Sequence, residues 1–422
     1  MLGSRKALPM DTSLVAGRFP WPLVATAATI LLITMGARQT IGLFIAPLDS
    51  ATGLGIVSIS LAVAIGQFVW GLAQPVFGAF ADRYGAGRVI TFGGIMLAIG
   101  TAATPFVRSE WALIAVLGIV SAFGAGAGSL SILIGSVMQR LPSERRSSAA
   151  GIINAGGSLG QFVFAPIVQV VILGFGWVVA MLGVAGATLL TLPLAFAMRR
   201  RKVPAAAATP GTATAMAEPG LRLGQQLKIA AADRSYWLLH LGFFTCGFHV
   251  AFLVTHLPGE ITLCGLPPAV ASWSLALIGL ANILGSLIAG LCTQRFRSKY
   301  ILAVMYGSRA LLIGWYLVAP KTKWTFYGFA VGLGLTWLAT VPPTATIVGK
   351  LFGSRHLSTL FGLTLLSHQI GGFLGAYLGG LALVRFGDYQ WMWYGDMALA
   401  AAAAFINLPI REARIAYVSS PA

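Results

Sequence analysis

The chain is a succession of apolar blocks divided by short polar stretches, and within the blocks polar residues show no period-two alternation. The blocks lie at 21–47, 56–80, 89–107, 111–138, 147–172, 177–198, 236–257, 268–292, 300–319, 324–348, 357–384 and 391–409. Most have about 20 residues or more, enough for a helix to cross a hydrocarbon core of roughly 30 Å. In lipid each unpaired backbone group costs several kcal/mol, so spanning segments are helices or strands of a closed barrel. Barrel strands would alternate apolar and polar residues. The pattern therefore predicts twelve transmembrane helices.

The pattern also repeats. Sliding the chain by 211 residues superimposes Gly36, Arg38 and Pro47 on Gly247, His249 and Pro258, and Gly151, Gly160, Phe162 and Ala165 on Gly362, Gly371, Phe373 and Ala376. Six blocks lie on each side of Arg199-Arg-Arg-Lys202, after which 203–222 is rich in Ala, Pro, Thr and Gly, the composition of a flexible linker. The expected organisation is an N-terminal six-helix bundle over 1–198, a cytoplasmic linker over 199–235 and a C-terminal bundle over 236–422. Parallel repeats of this kind place a substrate site at their interface near the bilayer midplane and alternate its access by rocking. Glycines cluster on the fourth, fifth and eleventh blocks, where small residues at helical spacing let backbones approach closely.

Composition agrees with the membrane reading. Only 9% of the 422 residues are charged, whereas a soluble domain carries about 25%. The net charge of +17 would suit a nucleic-acid binder, but the placement of the charges rejects that partner. With the N-terminus inside, 22 of the 28 Lys and Arg fall in cytoplasmic segments and four outside (Arg108, Lys321, Lys323, Arg385). Such an asymmetry orients membrane proteins and puts both termini in the cytoplasm. The first block is too long for the apolar region of a cleavable leader, so none is expected. Cys246, Cys264 and Cys292 show no metal-ligand spacing, and no metal or cofactor is expected.

Two basic residues, Arg38 and Arg309, remain inside spans. A charge at bilayer depth costs roughly 2.5–3.5 kcal/mol on insertion scales, which marks it as functional. Arg38 either forks onto a carboxylate or phosphate, or snorkels to the outer interface near Pro47. His249 takes the matching place in the second half, and the two are expected to face one another across a central chamber. His249, His256 and His368 are the candidates for proton coupling, each with a plain core histidine as the alternative. Arg309 is expected to point inward and bond a backbone carbonyl or an aromatic ring. None of the 11 Asp and Glu is expected deep in a span, Asp396 coming nearest. Without a buried carboxylate a cationic substrate lacks a partner, so an anion is favoured.

The second block ends Gly78-Ala-Phe-Ala-Asp82-Arg83-Tyr-Gly85-Ala-Gly-Arg88. This stretch resembles the loop motif between helices 2 and 3 of the major facilitator superfamily. The second half keeps Arg295 and has Gln294 where the motif has Asp. The resemblance implies that Asp82, Arg83, Arg88 and Arg295 latch an inner gate. Three further segments, Arg38-Gln-Thr-Ile-Gly-Leu-Phe44, Gly247-Phe-His249 with its continuation to Pro258, and Ser367-His368-Gln369-Ile-Gly, resemble bacterial relatives of the monocarboxylate transporters. Members of that family carry a cation in helix 1, matched by Arg38. The Asp and Arg they commonly carry in helix 8 are Asn282 and Ser286 here.

The resemblance implies an all-α membrane protein with the major facilitator fold, in which helices 1, 4, 5, 7, 8, 10 and 11 line the cavity. Asn154, Gln161, Asn282, His368 and Gln369 then join Arg38 and His249 as candidate substrate-binding residues. The expected function is secondary transport of a small organic anion, a carboxylate, across the bacterial inner membrane by a single chain, with protons as a further candidate partner. The alternative is an efflux carrier for a drug, toxic oxyanion or metalloid compound. A membrane enzyme would need clustered nucleophiles or ligands, and five His and three Cys show no such spacing.

Overall fold

A computed structural model describes residues 21–138, 141, 143–198, 223–353 and 356–413, without the side chains of 82, 138, 143–148 and 358. The described residues form helices and no strands. Eleven helical segments are long and apolar enough to cross a membrane, and a twelfth helix, Gln390–Asn407, packs against the seventh and ninth spans. The protein is a multi-pass membrane protein. Apolar side chains such as Phe175, Leu311 and Val318 face outward, as lipid contact requires, while Trp111, Trp324 and Trp391 stand exposed at one set of span ends.

Four spans are broken, the sixth into Trp177–Leu189 and Thr191–Ala197, and the other three show local features at their breaks. The first runs as Trp21–Gln39 and Gly42–Thr52; Thr40 turns its hydroxyl back onto the Gly36 carbonyl at 3.0 Å. The fourth starts as Glu110–Leu113, widens into a π-helical stretch over Ile114–Ser121, and breaks at Gly128 before Leu130–Met138. Here the Thr34 hydroxyl of span 1 takes up the free Gly128 carbonyl at 3.0 Å. The tenth is divided into Lys323–Thr336 and Val341–Phe352. Pro342 and Pro343 open its second piece, where missing N–H groups cost nothing.

The 211-residue repeat is visible as packing. In the first half Ser143–Phe175 (span 5) lies on span 1, with Gly160 against the Leu32 carbonyl. In the second half Leu357–Phe386 (span 11) lies on Arg234–Leu263 (span 7), with Gly371 against the Phe244 carbonyl. A Cβ at either glycine would collide with backbone.

The halves meet chiefly through two pairs of spans, Ile56–Tyr84 (span 2) with span 11 and span 5 with Pro268–Arg295 (span 8), and also where the second piece of span 1 touches span 7. Gly71 receives Gln369, and Gly279 receives the Ser158 carbonyl at 2.6 Å from where its Cβ would stand. At the end away from the termini, Gly42 abuts the Val254 carbonyl, and Gly380 abuts Ser60. Toward the termini the same faces carry Gly78, Gly151, Gly290 and Gly362, none with a described neighbour within 4 Å. Among the described residues, these glycine contacts between the bundles lie at the far end and in the middle, and none lies toward the end that holds Trp21 and Ala413.

Residues 199–222 of the expected linker lie outside the described residues. Its remainder is a helix, Leu223–Ala232, that docks on the second half: Gln226 donates to the Phe352 carbonyl at 2.6 Å.

Candidate functional site

Arg38 occupies the last turn of the first segment of span 1, directly before the break. Its guanidinium is half-buried, lies over the Trp70 ring at 4.1 Å and donates to Gln67 Oε1. Both partners come from span 2, one turn apart, so they share a face. Beside the guanidinium is a cavity of about 60 Å³ whose other polar lining is Gln67, Thr101 and Ser121. Its apolar wall includes Phe44, Leu117 and Met181. A water needs roughly 10–15 Å³ of such space, so the cavity accepts a few waters or the head of a small acid. Every lining residue belongs to the first half, and Arg38 is the one charge among them. Gln67 and Trp70 were not singled out from the sequence, where Gln67–Trp70 and Gln74–Phe77 share the same spacing of a glutamine with an aromatic a turn later.

His249 does not face Arg38. It stands at the middle of span 7, fully buried, and turns into its own bundle, where Nδ1 bonds Asp396 Oδ2 of Gln390–Asn407 (span 12). Trp337 packs its ring 6.0 Å from the imidazole. The expectation of two ionisable groups confronting each other across a central chamber is thus corrected. The two helices are rotated alike by the repeat, but the second half offers a carboxylate behind span 7 and the first half offers none behind span 1.

The expectation that no carboxylate is buried is corrected as well. Asp396 is fully enclosed, and Glu260 is nearly so. Span 7 continues to Leu263, beyond its expected end, and so takes Glu260 inside, where Tyr316 donates to it. Each buried carboxylate is engaged within the second half, so the cavity beside Arg38 has none in its lining.

Arg309 bonds backbone, as the sequence suggested. From Ser298–Val318 (span 9) it donates to the carbonyls of Thr336 at 2.6 Å and Trp337 at 3.3 Å, with the Tyr306 ring 5.5 Å away. These are carbonyls freed by the break in span 10, and a cation at a helix C-terminus meets the negative end of the dipole. Asn282 serves the other side of the break. Its Oδ1 accepts from the Leu338 N–H at 2.9 Å, while its Nδ2 donates to Ser158 Oγ of the first half at 2.8 Å. Both ends of this amide are therefore engaged by protein.

Gln161 sits next to that contact, buried, with Nε2 unpartnered. Gln369 is buried against Gly71 of the opposite half, and its amide is 3.4 Å from His368 Nδ1. His368 packs on Phe243 at 4.9 Å. Asn154 is half-buried on span 5. His256 is enclosed; its Nε2 bonds the Ala376 carbonyl at 2.7 Å and its ring packs on Tyr389. Arg83, Arg88 and Arg295 are exposed at the end that holds Trp21 and Ala413, and the side chain of Asp82 lies outside the described residues.

The description Major Facilitator Superfamily matches over residues 27–269 and 260–419. The chain belongs to that superfamily. It resembles monocarboxylate transporter 13 of Rattus norvegicus, 24% identical over 396 residues that cover 93% of this chain and 90% of that protein. The oxalate:formate antiporter of Oxalobacter formigenes is 22% identical over 404 residues, covering 94% and 91%. Among solved structures, a D-xylose-proton symporter superimposes with a TM-score of 0.70 over 93% of this chain and 98% of that one, at 12% identity. As a superfamily member resembling the monocarboxylate family, the protein is a transporter and not an enzyme.

Proposed function

We propose that the protein is a secondary active carrier that moves a small organic anion, a carboxylate, across the bacterial cytoplasmic membrane by alternating access. The observation that carries this reading is the Arg38 guanidinium, open to a small cavity and held only by a neutral amide and a ring face. A guanidinium so placed keeps donors free to fork onto a carboxylate. Trp70 presents its face to the cation and fixes its orientation, and the Thr101 and Ser121 hydroxyls offer further hydrogen bonds. Relatives named for monocarboxylates, oxalate and formate support the same class.

The end of the bundles without those glycine contacts holds Trp21 and Ala413, and the distribution of Lys and Arg places it in the cytoplasm. The conformation is then inward-facing. Closure brings Asp82, Arg83 and Arg88 toward Arg295 and opens the far side, where Gly42 and Gly380 now seal the halves.

The test is uptake of labelled formate, oxalate, lactate and glucuronate into proteoliposomes, wild type against Arg38→Ala. Saturable uptake that is lost in a folded Arg38→Ala supports the proposal. Undiminished uptake at unchanged affinity removes Arg38 from the site. Growth protection from toxic compounds without carboxylate uptake would instead favour the efflux carrier.

A further inference from the structure

A second set of ionisable groups lies in the other half, and the anion site does not use it. His249 and Asp396 are both fully buried and bonded to each other. Arg309, from span 9, is equally enclosed and lies within electrostatic reach of His249 and of Cys246. Cys246, one turn before His249, is 3.3 Å from Thr340 Oγ1 and also within reach of His368 from span 11. Tyr306 of span 9 and Trp337 of span 10 complete the shell.

This cluster is not fully paired. His249 Nε2, Asp396 Oδ1, and Arg309 Nε and NH1 are buried without a hydrogen-bond partner. Each unpaired polar atom carries a desolvation cost with no hydrogen bond to offset it. Apolar residues of the same volume would hold four helices together more cheaply. Fold stability therefore gives no reason for an imidazole here, whereas proton binding does. Nδ1–H donation to the carboxylate fixes the tautomer, which leaves the Nε2 lone pair as a bare acceptor.

We infer that His249 and Asp396 form a proton-binding site enclosed in the C-terminal bundle, with His249 Nε2 taking the proton. The proton comes from hydronium in the aqueous phase: an O–H bond of hydronium breaks and leaves water, an N–H bond forms at Nε2, and no bond to another protein atom breaks. With a neutral imidazole, the positive Arg309 and negative Asp396 balance; the proton raises the net charge of the cluster to +1. Unbalanced charge is costly in so enclosed a site, and an anion entering the membrane at Arg38 offsets it. By reciprocity, the proton then favours the anion. A bonded route leads from the cluster to the first half: Arg309 holds the Trp337 carbonyl, Leu338 donates to Asn282, and Asn282 donates to Ser158. The use of this site in transport rests on the proposed carrier function; the protonation itself does not.

The experiment needs no substrate. The protein in lipid nanodiscs is titrated between about pH 8 and 4, with protons taken up counted and histidine ring ¹⁵N resonances followed. Wild type should take up one proton more than His249→Asn, whose amide still donates to Asp396. One ring should leave the Nδ1–H neutral form in wild type and be missing from the variant. Equal proton counts and an unchanged set of titrating rings overturn the inference. Should His249→Asn not fold, Asp396→Asn decides. Loss of the carboxylate must lower the pH at which one ring protonates, and no ring so affected overturns the inference. Arg38→Ala abolishes uptake under the proposed function and leaves this titration in place, so the two readings fail separately.

Discussion

Arg38 and His249 stand at equivalent places in two copies of one unit, yet one is open and the other sealed. The 211-residue shift that pairs them also sets Arg309, Trp337 and Asp396 opposite Ala98, Gly126 and Ala185. Those three small residues lie beside Leu97, Ala125 and Val184, which line the cavity at Arg38. In the first half none of these three places carries an ionisable or large side chain, and Gly126 packs on Ala73. In the second half the matching places carry a guanidinium, an indole and a carboxylate. One scaffold thus sets a guanidinium beside a cavity in one half and encloses its charges among one another in the other half. The lesson is that a repeat fixes backbone placement, whereas the side chains behind the repeated helix decide whether a polar group meets a cavity or a partner.

The comparison can be broken by substitution. The largest effect on stability is expected from Asp396→Ala, which strips the buried His249 of its carboxylate partner. Losing one member of a buried pair costs about 3–5 kcal/mol, to be read as a fall in unfolding temperature in detergent. Arg38→Ala should act the other way round. Its partners are neutral, so unfolding should shift little, while carboxylate affinity falls by an amount typical of a severed charge pair, about 2–5 kcal/mol. Arg38→Lys keeps the charge without the fork, so it should fall between wild type and Arg38→Ala in an uptake assay.

Glycine substitutions sharpen the contrast at a smaller scale. Gly247→Ala would press a Cβ into the His368 carbonyl, a backbone atom that cannot move alone. Gly36→Ala meets the Phe164 ring first, and its nearest backbone atom is the Gly160 carbonyl at 3.0 Å. Overpacking costs of about 1–3 kcal/mol apply to the first, and thermal unfolding should show a smaller loss for the second. A loss on the scale of Gly247→Ala is expected from Asn282→Ala. It removes the bonds to Ser158 and Leu338 and should cost about 1–3 kcal/mol if the Leu338 N–H stays dry, or less if water reaches it. The same unfolding scan measures it.

Much of the architecture was legible before any coordinates. The spans were readable because lipid demands long apolar helices, and the internal repeat was readable because Gly36, Gly160, Gly247 and Gly371 are needed for close backbone contact. Arg38 was legible as an unusual charge, and Arg309 as a group that must find carbonyls. Other features were not. Span 7 is apolar on every side, so nothing in its pattern says which way His249 points. Asp396 looked like an outer-end residue because its depth depends on how span 12 docks against span 7. Asn282 read as cavity lining; its amide is taken up by a break in span 10 that two prolines alone do not locate.

The sequence by itself determined that this chain crosses the membrane as helices in two related bundles, because hydrophobic length and repeated small residues are local quantities written along the chain. Only the tertiary structure decided which polar groups share an enclosure. Contact depends on the rotation and depth of each helix against its neighbours, and His249 finds Asp396, 147 residues away, only when four spans have packed around them.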